Sequence, residues 1–261
     1  MKTVILAGGF GTRLSEETGV RPKPLVEIGG MPIIWHIMKM YSHYGHNDFI
    51  ICCGYKGHMI KEFFADYFLR HSDVTFDIKN NKMKIHTNAI EPWQVTLIDT
   101  GENSMTGGRI KRIKEYVGNE TFFLTYGDGV SDVNFKELLD FHNERKAFAT
   151  LTAVQQPGRY GAFNLEDKND KITHFREKPK GDGHETAWIN GGFFVLEPEI
   201  FDYIEGDDTT WEREPMEALA KEKQLNAFKH EGYWQSMDSL RDRTVLEQIW
   251  REGNPLWKKW S

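Results

Sequence analysis

The chain has 261 residues, of which 39% are hydrophobic and 28% are charged. This composition supplies enough apolar surface for the core of an ordinary domain and excludes a chain that is mainly disordered. The formal net charge of -6 excludes a protein that binds nucleic acid by neutralising its phosphates over a broad surface. The two cysteines, Cys52 and Cys53, are adjacent and form neither a disulfide framework nor a four-ligand zinc site. No apolar run reaches the ~20 residues that cross a bilayer, so we expect a cytoplasmic protein with buried thiols and no nucleic-acid or membrane partner.

Strand and helix patterns alternate through the first part of the chain. Short apolar runs predict strands at residues 4–7, 49–53, 121–125 and 147–154. Apolar residues at helical spacing predict helices at 32–44, 58–68, 108–116 and 135–144. Two strand-like pieces at 74–78 and 83–86 are typical of a surface hairpin. Because strands and helices follow each other in turn, the sequence predicts an α/β fold with a mostly parallel sheet.

Beyond Pro157 the predicted elements become shorter. Strands are predicted at 162–165, 172–176 and 189–196, and helices at 215–223 and 239–250. Since no internal repeat or low-complexity tract divides the chain, we predict one domain over residues 1–261. The half that follows residue 155 is expected to extend the sheet and to cover a ligand site at the carboxyl ends of the strands.

A glycine-rich turn follows the first predicted strand. It consists of Leu6, Ala7, Gly8, Gly9, Phe10, Gly11, Thr12 and Arg13. Glycines let backbone N–H groups wrap a phosphate closely, and Arg13 and Lys23, the latter between two prolines, add positive charge. The turn lacks the Gly-Lys-Ser/Thr of a Walker A loop and the third glycine of a dinucleotide fingerprint. It predicts a phosphate site of another kind, and the alternative is a tight turn with a solvated Arg13.

Two aspartates are candidate metal ligands. Asp128 lies between two glycines at the end of a predicted strand. A carboxylate there suits Mg²⁺, which takes oxygen ligands, although Asp-Gly is also common in Asx turns. Asp238 is the leading candidate for a second carboxylate, and it is equally a candidate N-cap of the last helix. Sequence spacing alone does not bring the two carboxylates together.

Two further motifs carry polar side chains beside predicted strands. Glu177 and Lys178 offer an acceptor for sugar hydroxyls next to a cation for a phosphate, and the alternative is a charged hairpin. Asn190 is followed by two glycines, which indicates either a close approach to a ligand or a β-bulge.

Together these residues resemble the sugar-1-phosphate nucleotidyltransferases, whose signature is Gly-Gly-x-Gly-Thr-Arg-Leu with a lysine ten residues after the arginine. Arg13 and Lys23 have that spacing. Runs at 22–30, 35–41, 49–57, 104–109 and 189–196 look like the family members that act on CTP and glucose 1-phosphate, and the likeness spans nearly the whole chain. The resemblance implies a Rossmann-like fold with a mixed, mostly parallel sheet flanked by helices. It also implies a nucleotide-binding half at 1–155 and a β-rich sugar-binding half with the C-terminal helix at 156–261.

The resemblance implies a role for each matched position. The residues from Leu6 to Arg13 would wrap the triphosphate, and Ser104 and Arg109 would contact the nucleotide. Arg13, Lys23 and Asp128 would act at the reacting phosphorus. Asp128 and Asp238 would hold Mg²⁺. The residues that would bind glucose 1-phosphate are Gly161, Glu177, Lys178 and Asn190.

The implied reaction transfers a cytidylyl group from CTP to α-D-glucose 1-phosphate in a homo-oligomeric enzyme that supplies lipopolysaccharide O-antigen synthesis. UTP or dTTP remains an alternative, because the base edge is read by groups that leave no side-chain trace. A glycosyltransferase would commonly carry Asp-x-Asp, whereas Val130 stands at the second acidic position here. A non-catalytic nucleotide sensor or assembly protein would use an aromatic surface at Trp250, Trp257 and Trp260, although such tryptophans more often belong to a core or a self-association interface.

Overall fold

The computed structural model describes residues 1–87, 90–155, 162–165, 172–176 and 188–260, with only the backbone described at 15–16, 162–165 and 172–176. The strands are β1 (Lys2–Leu6), β2 (Glu27–Ile28), β3 (Met31–Pro32), β4 (Asp48–Cys53), β5 (Val74–Asp77), β6 (Lys82–Ile85), β7 (Gln94–Asp99), β8 (Phe122–Tyr126), β9 (Gly129–Ser131), β10 (Ala149–Val154), β11 (Ala162–Leu165), β12 (Ile172–Arg176), β13 (Ile189–Leu196), β14 (Leu225–His230) and β15 (Trp234–Ser236). The helices are α1 (Ser15–Thr18), α2 (Ile33–His43), α3 (Gly57–Arg70), α4 (Thr106–Arg112), α5 (Lys114–Val117), α6 (Phe135–Arg145), α7 (Glu214–Lys221) and α8 (Leu240–Arg251). Short 3₁₀ turns lie at Thr12–Leu14, Lys23–Leu25 and Pro198–Tyr203.

Seven of the described strands form the central sheet, in the order β14-β10-β13-β8-β1-β4-β7. The strand β13 runs antiparallel to both of its neighbours, and the other adjacent pairs are parallel. The predicted α/β class with a mixed, mostly parallel sheet is therefore confirmed. The second half of the chain extends the sheet through β13 and β14, as expected.

The strand β1 lies at the point where the strand order reverses. From β1 the chain proceeds to β4 and β7 on one side, and it then returns to β8 on the other side of β1. In open α/β sheets ligands bind in the crevice that such a reversal leaves at the carboxyl ends of the strands. The glycine-rich turn follows β1 and Asp128 follows β8, so both reach this crevice.

Both faces of the sheet are covered, which explains the continuous apolar runs of its central strands. Ile5 and Ile51 belong to the core cluster on one face, together with Ile37 of α2. Their neighbours Val4 and Ile50 belong to the cluster on the opposite face. Successive residues of a strand point to opposite faces, so each strand contributes to two hydrophobic layers.

Some elements differ from the prediction. The edge strands β7 and β14 were not predicted, because their residues are only partly buried and lack a strong apolar pattern. The helix predicted at 108–116 begins earlier and is divided at Ile113 into α4 and α5. A Cβ atom on Gly108 would lie 2.5 Å from the backbone of Asp207, so this glycine marks a close approach inside a helix and not a helix start.

The C-terminal tryptophans pack into the molecule. Trp257 is fully buried, while Trp250 and Trp260 are partly buried against the same core. Their rings surround His36 of α2, with ring centroids 4.9 Å away for Trp250 and 6.1 Å away for Trp257. Burial lowers the pKa of His36 to about 4. Trp257 is therefore a core residue and not part of an exposed aromatic surface.

The described residues confirm two smaller predictions. The strands β5 and β6 pair as an antiparallel hairpin whose residues are mostly exposed. Cys52 and Cys53 are free and buried, and burial raises the pKa of both thiols, to about 11 for Cys53. Within the described parts of the chain, every helix is too short or too polar to traverse a bilayer.

Candidate active site

The glycine-rich turn forms one wall of a cavity of about 400 Å³ at the carboxyl end of β1. Gly11 has a positive φ of 63°, and a Cβ atom there would lie 2.8 Å from Cγ2 of Thr18. The hydroxyl of Thr18 donates to the carbonyl oxygens of Gly11 and Leu14, each at 3.1 Å. The turn therefore needs glycine at position 11 and is closed by local hydrogen bonds.

Each residue predicted to bind the nucleotide lines this cavity. They are Leu6, Ala7, Gly8, Gly9, Phe10, Gly11, Thr12, Arg13, Lys23, Ser104, Arg109 and Asp128. Asp238 lines it as well. The structure thus brings together residues from five separate parts of the sequence, and their contacts with a nucleotide stay predictions.

Lys23 joins the two predicted metal ligands. Its Nζ lies 2.6 Å from Oδ2 of Asp128 and 2.9 Å from Oδ1 of Asp238. Arg13 lies 3.6 Å from the other oxygen of Asp238, and its side chain is 78% exposed. Two cations and two carboxylates therefore meet at one point of the cavity wall, and the exposed Arg13 is free to turn toward a ligand.

The charges in this cluster shift each other's pKa. Burial by itself lowers the pKa of Lys23, but the adjacent carboxylates of Asp128 and Asp238 outweigh burial and raise it above 10.5. Burial likewise opposes ionisation of Asp238, but Lys23 and then Arg13 hold its pKa below 3.8. Both groups are therefore charged at neutral pH.

A pair of short strands explains why Asp128 and Asp238 meet. In the ladder of β9 and β15, Gly129 stands opposite Ser236, and the N–H of Met237 donates to the carbonyl oxygen of Asp128 at 2.8 Å. Asp238 follows directly and faces the same lysine. The residue that caps α8 is Ser239, which forms a capping box with Asp242, so the N-cap interpretation of Asp238 is wrong.

Arg109 fixes the shape of the cavity wall. Only 4% of this residue is exposed, and its guanidinium donates to Gly8 O (2.9 Å), Gly101 O (2.6 Å), Glu102 O (3.0 Å) and Thr100 Oγ1 (3.0 Å). A planar cation with five N–H donors suits such a set of oxygens. Arg109 therefore ties the turn after β1 to the loop after β7, whatever contact it makes with a nucleotide.

We expect Gly8→Ala to destabilise the protein by about 1–3 kcal/mol, the usual cost of overpacking. A Cβ atom on Gly8 would lie 2.2 Å from Nη1 of Arg109, so the guanidinium would have to leave its buried partners. Gly9→Ala is the matched control, because nothing lies within 4 Å of a Cβ atom there. Urea denaturation measures both; equal unfolding free energies for the two variants would contradict this role of Arg109.

A second cavity of about 350 Å³ adjoins the first. Arg13, Tyr126, Asp128 and Asp238 line both cavities and form their common wall. Asn190, predicted to bind the sugar phosphate, lines only the second cavity. Arg13, Asp128 and Asp238 therefore lie between the two cavities.

Asn190 lies at an irregularity of β13. The pairing with β10 shifts register between Leu151 and Ala153, and the N–H of Gly192 donates to Oδ1 of Asn190 at 2.8 Å. The bulge interpretation is therefore correct, and the bulge also directs Asn190 into the cavity. The other predicted sugar-phosphate residues, Gly161, Glu177 and Lys178, lie outside the described residues.

Glu212 also lines the second cavity, and sequence reasoning missed it. It lies in a charge-rich run, Glu212 to Glu217, that has no motif to distinguish one carboxylate from the next. Only the three-dimensional contact with Tyr126 marks it, since the Tyr126 hydroxyl donates to Oε1 of Glu212 at 2.5 Å.

The donor set at the common wall fits Mg²⁺. Among the described residues no group of three or more His, Cys, Asp or Glu side chains is placed to hold a metal. Mg²⁺, however, is usually bound by one or two carboxylates together with substrate phosphates and water. Asp128 and Asp238 supply two partly exposed carboxylates that already bind one positive charge together.

The fold is an α/β sheet with a glycine-rich turn and a charged cavity at its switch point, the place where ligands bind in sheets of this class. The chain belongs to the nucleotidyl transferase family, whose model matches residues 2–244.

Two relatives within this family and one solved structure are similar to the chain over most of its length. The glucose-1-phosphate cytidylyltransferase of Salmonella typhimurium is 59% identical over 262 residues, covering 100% of both chains. A Bacillus subtilis protein named "Probable glucose-1-phosphate cytidylyltransferase" is 43% identical over 261 residues, again covering 100% of both. Among solved structures, HddC from Yersinia pseudotuberculosis superposes with a TM-score of 0.67 at 23% identity, covering 95% of this chain and 99% of that one, which shows the fold alone.

Proposed function

We propose that the protein transfers the cytidylyl group of CTP to α-D-glucose 1-phosphate and releases CDP-glucose and pyrophosphate. The observation that carries this proposal is the 59% identity, over the full length of both chains, with the Salmonella typhimurium enzyme named for glucose-1-phosphate cytidylyl transfer. The geometry supports it, because two adjoining cavities share a wall that carries Arg13, Asp128 and Asp238.

The reaction is an in-line displacement at the α-phosphorus of CTP. An oxygen of glucose 1-phosphate forms the new bond to phosphorus, and the bond to the oxygen that bridges to the β-phosphorus breaks as pyrophosphate leaves. No covalent nucleophile is required, so the enzyme's task is to bring two anions together and to neutralise their charge. These effects together supply about ten kcal/mol of barrier lowering in comparable cases.

The residues of the common wall match these tasks. The turn from Leu6 to Arg13 would bind the triphosphate through its backbone N–H groups, with Ser104 and Arg109 on the nucleoside side. The exposed guanidinium of Arg13 lines both cavities and would meet the phosphate oxygens on which charge grows. Lys23 would hold the two phosphates in line, and Asn190 would bind the sugar phosphate together with Gly161, Glu177 and Lys178.

We also propose that Asp128 and Asp238 hold Mg²⁺. Bound there, the ion would neutralise phosphate charge and orient the leaving pyrophosphate. The pairing of β9 with β15 positions both carboxylates for this task, and Lys23 holds the pKa of Asp238 below its ordinary value. We further propose that the enzyme is a cytoplasmic homo-oligomer whose product serves lipopolysaccharide O-antigen synthesis.

Asp128→Asn and Asp238→Asn are each expected to raise the Mg²⁺ concentration for half-maximal activity by about tenfold or more, because a neutral amide is a weaker ligand for a hard cation. Thermal unfolding should stay cooperative in both variants, since the amide keeps the shape of the carboxylate. Asp140→Asn, on the exposed face of α6, is the control. Metal titrations that superpose on the wild-type curve would count against the shared site.

The reaction itself is tested by measuring pyrophosphate release with Mg²⁺, glucose 1-phosphate and each of CTP, UTP, dTTP, ATP and GTP in turn. We expect release with CTP to exceed release with the other triphosphates by at least about tenfold, as a site that reads hydrogen-bonding groups discriminates strongly. If UTP or dTTP gave the faster release, that triphosphate would replace CTP as the proposed substrate. Tight CTP binding without any release would favour a nucleotide sensor.

A further inference from the structure

Glu212 is held in a fixed orientation at the wall of the second cavity. Its Oε1 accepts from the Tyr126 hydroxyl at 2.5 Å, and its Oε2 accepts from Oγ1 of Thr106 at 2.6 Å. Thr106 in turn accepts from the backbone N–H of Trp211 at 2.9 Å, and Trp211 is fully buried. The carboxylate is thus anchored from both sides by neutral donors.

The anchoring groups are themselves rigid. Tyr126 ends β8, and a Cβ atom on Gly192 would lie 2.6 Å from its ring, so the ring packs directly on the backbone of β13. The Tyr126 hydroxyl donates to Glu212 from this packed position. A ligand therefore meets a preorganised carboxylate at this wall.

The carboxylate keeps acceptor capacity toward the cavity. Each oxygen of Glu212 receives one hydrogen bond in the described structure, and a carboxylate oxygen accepts two. Among the residues that the structure describes, no Lys, Arg or His forms an ion pair with Glu212. Its negative charge is therefore free to bind donors from a ligand.

The charged residues of the second cavity indicate how a sugar phosphate would be oriented in it. Arg13 and three carboxylates line the cavity; Asp128 and Asp238 are already paired with Lys23, whereas Glu212 forms no such pair within the described residues. Arg13 attracts a phosphate, and the carboxylate of Glu212 repels one. Trp234 lines the same cavity, with its Nε1 bonded to the carbonyl oxygen of Gly191 at 2.7 Å, and offers an apolar ring surface. Within this cavity the phosphate therefore suits Arg13, and a sugar ring whose hydroxyls donate hydrogen bonds suits Glu212.

We propose that Glu212 accepts a hydrogen bond from a ring hydroxyl of the sugar 1-phosphate and thereby contributes to the choice of sugar. This inference rests on the proposed function, since it assigns the sugar substrate to the second cavity. Glu212 would act on the ground state and the transition state alike, because the hydroxyl lies away from the reacting phosphorus.

The test combines Glu212→Ala with four substrate analogues, the 2-, 3-, 4- and 6-deoxy derivatives of glucose 1-phosphate. For the wild type, loss of the hydroxyl that Glu212 binds should lower kcat/KM by about 10- to 100-fold, the range for a hydrogen bond to a charged group. In Glu212→Ala the penalty for that one deoxy position should shrink to about threefold or less, while the penalties at the other positions stay as in the wild type.

Two further measurements separate recognition from a merely structural role. The variant should raise KM for glucose 1-phosphate by about tenfold or more and change KM for CTP by less than about threefold. Glu214→Gln, with an exposed side chain in the first turn of α7, is the control and should leave both constants unchanged. If Glu212→Ala folds poorly, Glu212→Gln takes its place in the test. Glutamine keeps one acceptor oxygen, so its penalty at the recognised deoxy position should lie between those of the wild type and of a variant without an acceptor.

The proposal is overturned if the wild-type enzyme makes CDP-glucose but all four deoxy penalties are the same in wild type and variant. It is also overturned if CTP and sugar-phosphate KM values rise together, which would show that Glu212 only ties Thr106 to Tyr126. Absence of CDP-glucose formation by the wild type would instead contradict the proposed function.

Discussion

Replacement of Arg13 by alanine is expected to lower kcat by about a hundredfold or more while KM for CTP changes only a few-fold. Arg13 is largely exposed and lines both cavities, so its guanidinium is placed to bind the phosphate oxygens on which charge accumulates during transfer. The backbone N–H groups of the glycine-rich turn remain in the variant and should keep most of the affinity for the triphosphate.

Arg70→Ala provides the matched control, because Arg70 forms an exposed ion pair with Asp66 on α3 and does not line either cavity. Such a pair contributes at most about 1 kcal/mol to stability. Steady-state kinetics with CTP and glucose 1-phosphate measure both variants. An Arg13→Ala enzyme that turns over at the wild-type rate would remove Arg13 from the mechanism.

Lys23→Met is expected to lower kcat/KM by about a thousandfold, the upper range for removal of one preorganised charged group, through two effects. The variant loses the cation that would hold the two phosphates in line, and it leaves Asp128 and Asp238 without their shared ammonium group. Those carboxylates would then repel the incoming phosphates. Methionine preserves most of the length of the lysine side chain, so the loss measures charge and not packing.

The same variant should unfold about 1–2 kcal/mol more easily near neutral pH, a discounted value because both aspartates are partly exposed. Asp238 has a pKa below its ordinary 3.8, so its contribution to stability is lost as pH falls below that value. Lys23 has a pKa above 10.5, so its contribution is lost as pH rises through that raised value. The stability difference between wild type and variant is therefore expected to be largest between about pH 4 and pH 10.

Lys39→Met is the control for Lys23→Met. Lys39 is also mostly buried and pairs with Glu91 at 3.4 Å, but it contributes to neither cavity. It should change stability without changing kcat/KM. Equal losses of activity in both lysine variants would show that a general loss of structure, and not the charge at the site, explains the effect.

The part of the site that follows the ends of the central strands could be predicted from the sequence. A ligand site was predicted at the carboxyl ends of the strands, and the turn after β1 and Asp128 after β8 line one cavity there. Local sequence patterns were sufficient here, because the glycine-rich turn and Asp128 directly follow predicted strands.

Other parts of the site depend on long-range pairing that leaves no local signal. Asp238 reaches Lys23 only because β15 pairs with β9, more than a hundred residues earlier in the chain. Glu212 is distinguished from its acidic neighbours only by its contacts with Tyr126 and Thr106. The edge strands β7 and β14 are half-buried, so their apolar pattern was too weak to predict them.

A crystal structure of the protein with CTP would show where the triphosphate binds. We expect the triphosphate to lie against the backbone N–H groups between Ala7 and Arg13, with the α-phosphate beside Lys23 of the first cavity and Arg13, which lines both cavities. A triphosphate bound away from this turn, with Lys23 still enclosed by Asp128 and Asp238, would contradict it.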